Sequence, residues 1–180
     1  MNKRKIDVMD YASDIVKELP KGIFLNTKAN GKFNSMAIAW GTIGYNWNKP
    51  VFVCYVREGR FTRELLDENP EFTVSVPIGS YDKKIMKVCG SQSGRDVDKV
   101  KEANLTLVEP ETISVNGIKE LPLTIECKLL YRQEQDLSLL PDDILNRNYP
   151  QDVDSSNPGS NKDFHITYFG EIVDSYIIED

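Results

Sequence analysis

Apolar residues near the start of the chain recur at the spacing of an α-helix. The positions that share one helical face are Val8, Ala12, Ile15 and Leu19. This pattern predicts a helix over residues 6–19. Pro20-Lys21-Gly22 follows at once and predicts the end of that helix.

From Gly22 onward the pattern becomes that of β-strands. Runs rich in β-branched and aromatic residues, bounded by turn residues, predict strands at Gly22–Thr27, Phe33–Tyr45, Val51–Val56, Phe72–Val76, Leu123–Tyr131 and Ile166–Ile178. Ala29-Asn30-Gly31 resembles a tight hairpin turn. In Phe72–Val76 apolar residues alternate with Thr73 and Ser75, which predicts a strand with one buried face.

Three short helices are predicted between the strands, at Thr62–Asn69, Tyr81–Val88 and Asp96–Ala103. Thr62 is placed to cap the first of them, and Pro70 follows its end. The stretch Gln133–Lys162 is polar and acidic, with Ser155–Ser160 at its centre. We expect it to form a long excursion or lid, because connections of this length are usually functional or mobile.

Many strands at short spacing, with helices at the connections, favour a mainly β fold. We expect one domain over residues 1–180, built as a closed or nearly closed antiparallel barrel with peripheral helices. Periodicity alone does not separate this barrel from another α+β arrangement.

Composition narrows the classes of function. The formal net charge of -6 argues against a nucleic-acid partner, which needs a basic face. No apolar run reaches the roughly 20 residues of a membrane-spanning helix, and the basic N-terminus lacks the apolar run of a signal peptide. The three cysteines are far apart in the sequence, which disfavours disulfides and a zinc site. A cytoplasmic location without a membrane partner is the default expectation.

Conventional catalytic motifs are missing from the sequence. His165 is the only histidine, so a histidine pair or a histidine-based metal cluster is excluded. There is no G-x-S-x-G elbow, H-E-x-x-H helix or phosphate-binding P-loop. Hydrolysis therefore has little support, and no metal site is expected.

Three segments have residues suited to binding a ligand. Asn34–Trp40 offers amide and small residues beside an apolar wall, although an ordinary strand with a core tryptophan explains it as well. Arg57–Thr62 places two guanidinium groups and a hydroxyl before a helix, which suits a phosphate; a surface turn paired with acidic residues is the alternative. Cys89–Lys99 combines small residues, hydroxyls and a cation, and a solvated loop capped at Asp96 is its alternative.

Together these segments resemble the flavin reductase-like, FMN-binding split-barrel family, and most closely its flavoredoxin type. The similar motifs occur in the same order: N-S-M-A-x-x-W, R-x-x-R-F-T, C-G-x-x-S-G-R-D-x-D-K and the ending H-x-x-x-x-G-E from His165. The resemblance runs from about Gly22 to the C-terminus and is weakest over Gln133–Lys162. It implies a Greek-key split β-barrel that forms a homodimer with one FMN per subunit.

The resemblance also implies a set of flavin contacts. Those residues are Asn34, Ser35, Met36 and Ala37 beside the isoalloxazine ring, Arg57 and Thr62 near the phosphate, and Ser91, Ser93, Gly94 and Lys99 at the loop and helix start. Arg60 is a further candidate whose side chain is expected to point to solvent. Trp40 either contacts the flavin or packs in the dimer. His165 either faces the nicotinamide or substrate, or is a strand residue bonded to neighbouring backbone.

The implied function is electron transfer from NAD(P)H to flavin or to an onward acceptor. The alternative is a flavoredoxin-type electron carrier with tightly bound FMN and a protein redox partner. A third, non-redox interpretation is a binding module on the same barrel that no longer uses flavin.

Overall fold

β-Strands dominate the computed structural model, which describes residues 2–154 and 159–179. The strands are β1 (Asn2–Lys5), β2 (Ile23–Ala29), β3 (Lys32–Ile38), β4 (Gly41–Asn46), β5 (Lys49–Arg57), β6 (Glu71–Val76), β7 (Leu107–Val108), β8 (Gly117–Ile118), β9 (Leu123–Glu134) and β10 (His165–Glu179). The α-helices are α1 (Ala12–Glu18), α2 (Phe61–Glu68), α3 (Lys83–Ser91), α4 (Lys99–Glu102) and α5 (Asp142–Asn148). Short 3-10 helices cover Val8–Tyr11, Leu19–Lys21 and Leu137–Leu139.

Within the described residues, one antiparallel sheet contains all strands except the separate pair β7 and β8. Its order is β3-β2-β6-β9-β10-β5-β4, and β1 pairs with β10 beyond the end of β5. Strands β3 and β4 lie at opposite ends of this order, although only Ala39 and Trp40 separate them in the chain. The predicted mainly β, antiparallel architecture is confirmed, and the sheet is not closed.

The predicted strand Phe33–Tyr45 is wrong as a single unit. The chain leaves β3 after Ile38 and enters β4 at Gly41. Both strands are paired along their length, β3 with β2 and β4 with β5, at opposite ends of the sheet. The residues Ala39 and Trp40 therefore make the transition that a pattern of alternating side chains does not reveal.

The predicted helix over residues 6–19 is also only partly right. A regular α-helix begins at Ala12, because Asp7 accepts a hydrogen bond from Met9 N at 2.9 Å and starts a 3-10 helix first. The apolar face is confirmed, since Val8, Ile15 and Leu19 are buried. Before it, β1 adds an unpredicted strand beside β10.

Two predicted helix caps belong to other residues. Arg60, not Thr62, is the N-cap residue of α2, and it makes no side-chain capping bond. Asp98, not Asp96, caps α4 by accepting from Val100 N and Lys101 N. The helix α2 therefore begins one residue earlier than predicted, and α4 begins three residues later.

The polar face of β6 is buried, which corrects the expectation of a strand with one exposed face. Thr73 and Ser75 are fully buried, and both hydroxyls accept a bond from the Asn26 amide, at 3.0 and 2.9 Å. Thr73 Oγ1 also donates to Asn116 O at 2.8 Å. The segment that leads to β8 thus covers this face through hydrogen bonds, whereas the opposite face supplies the apolar core around Phe72.

The polar excursion starts later than predicted, because Gln133 and Glu134 still belong to β9. It then contains a 3-10 turn and α5 before the chain enters β10 at His165. Residues 155–158 of its predicted centre lie outside the described residues. Of the described helices, none is both long enough and apolar enough to cross a membrane.

We predict that Gly170→Ala destabilises the protein by about 1–3 kcal/mol, the usual cost of overpacking a core. A Cβ at Gly170 would overlap the ring of Phe72 and lie 2.9 Å from Cys127 Cβ. Gly44 is the matched control, since a Cβ there meets nothing within 4 Å. Urea unfolding of both variants measures the effect, and equal stabilities would contradict the packing described here.

Candidate functional site

Residues from all three predicted segments line one groove, with a volume of about 320 Å³. Its lining residues are Asn34, Met36, Ala37, Gly59, Arg60, Phe61, Thr62, residues 89–96, Lys99 and Gly159. A second recess, which we call the side hollow, has a volume of about 240 Å³. It is lined by Met36, Ala37, Ile38, Ala39, Trp40, Tyr55, Arg57, Arg60, Asn161 and His165. Because Met36, Ala37 and Arg60 line both, the groove and the side hollow adjoin.

Asn34 links β3 to the start of α2 at the bottom of the groove. Its Nδ2 donates to Thr62 Oγ1 at 2.9 Å, and Thr62 Oγ1 contacts Met36 Sδ at 3.6 Å. The other amide atom, Asn34 Oδ1, is buried and has no hydrogen-bond partner within the described residues. A buried acceptor without a partner lowers the stability of the native state. A ligand that donates a hydrogen bond to Asn34 Oδ1 would remove this cost.

Gly94 lets the loop after α3 approach Asn34 closely. A Cβ at Gly94 would overlap Asn34 Oδ1 and lie 2.9 Å from Cδ1 of Phe61. The neighbouring Arg95 holds the same loop against α2, since its Nη1 donates to Gly59 O at 3.1 Å and its Nη2 pairs with Glu64. The wall of the groove therefore depends on glycine at 94 and on an arginine after it.

The two serines of this loop make local bonds. Ser91 Oγ donates to Lys87 O at 2.6 Å, and Ser93 Oγ accepts from Arg95 N at 3.2 Å. Both residues line the groove.

Lys99 is a buried cation that joins β3 to the end of α3. Its ammonium group donates to Ser35 O at 2.9 Å and to Cys89 O at 3.3 Å. Burial lowers the pKa of Lys99, and the positive charge of Arg60 adds to the lowering. Burial raises the pKa of the Cys89 thiol, which keeps it protonated and favours a packing role for this cysteine.

The start of α2 presents unused hydrogen-bond donors to the groove. The first N–H groups of a helix have no partner within it, and α2 has no side-chain cap. The exposed side chain of Arg60 stands at this helix start. Free N–H groups, the positive end of the helix dipole and a guanidinium together suit an anion such as a phosphate.

The guanidinium group of Arg57 donates its hydrogen bonds to the polar excursion and the residue that follows it. Its Nη1 donates to the carbonyl oxygens of Asn161 and Asp163 at 3.0 and 2.6 Å, and its Nη2 donates to Asn148 O at 2.8 Å. The Asp163 carboxylate lies 3.6 Å away, and the ring of Tyr149 is 5.0 Å from the guanidinium carbon. Arg57 lines the side hollow while its donors hold the excursion against the barrel.

His165 and Trp40 form the aromatic part of the side hollow. Their ring centroids are 5.0 Å apart, and Trp40 is 44% exposed. His165 is buried, and its Nδ1 lies 2.7 Å from the hydroxyl of Tyr149. Burial first, and then the charge of Arg57, lower the pKa of His165 to about 4, so the ring is neutral at neutral pH.

Comparison with known proteins identifies the family of the chain. The model of the flavin reductase like domain family matches residues 16–180. The chain belongs to this family. A protein of Archaeoglobus fulgidus described as uncharacterized is 27% identical over 165 residues, which cover 91% of this chain and 89% of that protein.

Two solved structures share the fold of this flavin reductase-like chain. The flavoredoxin of Desulfovibrio vulgaris (Miyazaki F) has a TM-score of 0.65 and 23% identity, with 88% of this chain and 69% of that one covered. The FMN-binding domain of a flavin reductases-like enzyme from Shewanella baltica OS155 has a TM-score of 0.64 and 16% identity, covering 98% and 77%. The predicted split-barrel fold is thereby confirmed.

Within this flavin reductase-like domain, the predicted site residues divide between two places. Those that line the groove are Asn34, Met36, Ala37, Arg60, Thr62, Ser91, Ser93, Gly94 and Lys99. Trp40, Arg57 and His165 line the side hollow. Ser35 is buried and lines neither recess, and its carbonyl accepts a hydrogen bond from Lys99, which lines the groove. Arg60 is exposed as expected, but it lies where the two recesses join.

The sequence does not predict the contacts of several residues at the site. Arg95 belongs to a segment that was singled out, and its pairing partner Glu64 is far away in sequence. Gln135, Tyr149 and Asn161 lie in or beside the polar excursion, where no motif or periodicity distinguishes them. Only the folding of that excursion onto Arg57 and His165 brings them to the site.

We predict that protonation of His165 destabilises the native state as the pH falls. The pKa is 6.5 in an unfolded chain and about 4 in the native state, so the unfolded chain binds more protons between these values. This group alone should remove about 2 kcal/mol of stability between pH 7.5 and pH 5. Urea unfolding of the wild type and of His165→Gln at both pH values measures the difference. The same pH dependence in both proteins would show that His165 titrates normally.

Proposed function

We propose that this chain is an FMN-dependent oxidoreductase that passes electrons from NAD(P)H to flavin or to an onward acceptor. The observation that supports it most is the start of α2, where an uncapped helix and the exposed Arg60 face a groove of ligand size. One structure of the same fold is an FMN-binding domain, which agrees with this ligand.

The phosphate of FMN is best matched by Arg60 and the first N–H groups of α2. Arginine binds a phosphate through two parallel donors, and helix N–H groups add further directed donors. The side chain of Arg60 has no hydrogen bond or ion pair with another described residue, whereas the donors of Arg57 are engaged by three carbonyl oxygens. A role of Arg57 at the phosphate, as expected from the sequence, therefore remains a prediction with less support than the same role for Arg60.

The flavin ring is best matched by the free edge of β3. This strand pairs with β2 on one side and ends the sheet on the other. The carbonyl of Ser35 points away from β2 and accepts a hydrogen bond from Lys99. The backbone N–H and C=O of Ala37 point to the same edge, because alternate residues of a strand direct these groups to the same side. The unpaired Asn34 Oδ1 and Gln92 Oε1 add acceptors for ring N–H groups.

Bound flavin would supply hydride and electron transfer, which the side chains of the protein do not provide. The residues of the chain bind and orient the ring, and the ammonium group of Lys99 adds a positive charge beneath the groove. Hydride transfer needs no general acid or base, which is consistent with a site whose one histidine is neutral.

The alternative is a flavoredoxin-type electron carrier with tightly bound FMN and a protein redox partner. Its support is the shared fold with a flavoredoxin and an aromatic cluster in which Trp47 and Tyr131 are exposed and Phe169 is half-buried. The same cluster would suit the homodimer that the sequence resemblance implies, since exposed aromatic groups favour protein contacts.

We predict that the purified protein retains FMN after desalting and that its absorbance band bleaches with NADH or NADPH. Retained FMN that stays oxidised with both nucleotides would contradict the reductase and favour the carrier. A protein that neither retains FMN nor reduces added FMN would contradict both.

We also predict that Arg60→Ala weakens the binding of FMN by about 1.5–3 kcal/mol, the usual contribution of a hydrogen bond to a charged group. Riboflavin, which lacks the phosphate, should bind the variant as it binds the wild type. Arg57→Ala should weaken both ligands alike, because it loosens the excursion. Arg63→Ala is the matched control, since Arg63 pairs with Asp67 on the same helix. Fluorescence titration measures each affinity, and a selective loss of FMN in Arg57→Ala instead would move the phosphate to Arg57.

A further inference from the structure

The environment of His165 includes a hydrogen-bond relay. Tyr149 Oη lies 2.7 Å from His165 Nδ1 and 2.8 Å from Gln135 Oε1, so it bridges the two side chains. Tyr149 and His165 are both buried, at 3% and 7% exposure. The rings of Tyr149 and His165 meet edge to face, with centroids 5.5 Å apart.

Each member of this relay is held in place by other contacts. Gln135 N donates to His165 O at 2.9 Å, which fixes the end of β9 beside the start of β10. Tyr149 N donates to Leu145 O at 2.8 Å, and the guanidinium of Arg57 lies under the tyrosine ring. Arg57 is also the register partner of His165 across β5 and β10. The distances in the relay thus follow from strand pairing and from the attachment of the excursion.

The hydroxyl of Tyr149 can donate to only one of its two neighbours, and this limit decides which nitrogen of His165 is protonated. A tyrosine hydroxyl has one proton, and an amide oxygen can only accept. The Tyr149 hydroxyl donates its hydrogen bond to Gln135 Oε1. The hydroxyl oxygen must therefore be the acceptor in its bond with His165, and Nδ1 must carry the proton that it donates.

We propose that Gln135 and Tyr149 are positioning residues that hold His165 in the Nδ1–H tautomer. The other ring nitrogen, Nε2, is then an unprotonated acceptor on a residue that lines the side hollow. The charged groups around the ring are Arg57, Arg60 and Asp163. Burial and the positive charges of Arg57 and Arg60 keep the imidazole neutral, while the negative charge of Asp163 acts in the opposite direction.

An acceptor at Nε2 suits a ligand that presents an N–H or O–H donor beside the exposed ring of Trp40. A protonated Nε2 would instead repel that donor. The use of this acceptor for an electron donor or acceptor of the flavin rests on the proposed function, whereas the tautomer itself does not.

The experiment is ¹⁵N NMR of the histidine side chain in the whole protein at pH 7, without added nucleotide. Because His165 is the only histidine, its two ring nitrogens are the only imidazole signals. We expect a protonated Nδ1 and an Nε2 resonance shifted far downfield, as for an unprotonated nitrogen. A protonated Nε2 in the wild type would overturn the proposal.

The variant Gln135→Leu tests the cause of this tautomer. Without the amide acceptor, the tyrosine proton turns to Nδ1, so the two nitrogen shifts should exchange. Gln135→Glu should keep the wild-type pattern because a carboxylate still accepts, and Gln133→Leu is the matched control on the exposed part of β9. An unchanged pattern in Gln135→Leu would overturn the proposal.

Tyr149→Phe provides a second test if Gln135→Leu does not fold. It keeps the ring over Arg57 but removes the hydroxyl, so both tautomers should appear in a mixture with averaged shifts. A pure Nδ1–H pattern in this variant would overturn the relay. An inactive protein with the predicted tautomer would instead contradict the proposed function and leave the relay intact.

Discussion

The pairing of β10 with its neighbours is the constraint on which the rest of the structure depends. This strand runs beside β9 for most of its length, beside β5 with its first seven paired residues and beside β1 with its end. Shifts of register at Phe169/Gly170 and Ile172/Asp174 bend it, as β-bulges do. The same pairing places His165 opposite Arg57, so the position of the side hollow follows from the sheet.

Charge at the site is organised by burial. The protein as a whole is acidic, yet Arg57 and Lys99 are buried and Arg60 stands between them. The two buried cations have carbonyl oxygens as partners, because a charge removed from water needs hydrogen bonds to be tolerated. Among the described residues, the side chain of Arg60 has no hydrogen-bond or ion-pair partner, which is why we propose it as the cation that binds an anionic ligand.

Local sequence predicted the composition of the groove but not the connections within it. Three segments were singled out because their residue types suit a flavin, and the fold brings residues from all of them to one groove. The bond between Asn34 and Thr62 and the contact of Gly94 with Asn34 join segments 28 and 60 residues apart in the chain. No local pattern predicts such pairs, and for this reason the sequence alone places Thr62 as a helix cap.

The excursion was the least predictable part for the same physical reason. Its polar composition predicts a solvated connection, whereas its course depends on tertiary contacts such as the three carbonyl bonds to Arg57 and the bridge of Tyr149 to His165. An arginine in a sequence that suits a phosphate site can equally donate to main-chain carbonyls. The sequence alone does not predict which of these two partners it binds. The stretches rich in β-branched and aromatic residues were predictable as strands, but neither the break at Ala39 and Trp40 nor the added strand β1 was.

A crystal structure of the protein grown with FMN would test the assignment of the groove most directly. We predict that the phosphate lies at the first turn of α2 within hydrogen-bond distance of Arg60, with the flavin ring along the free edge of β3. A phosphate held by Arg57 in the side hollow, or a flavin bound away from β3, would contradict this account.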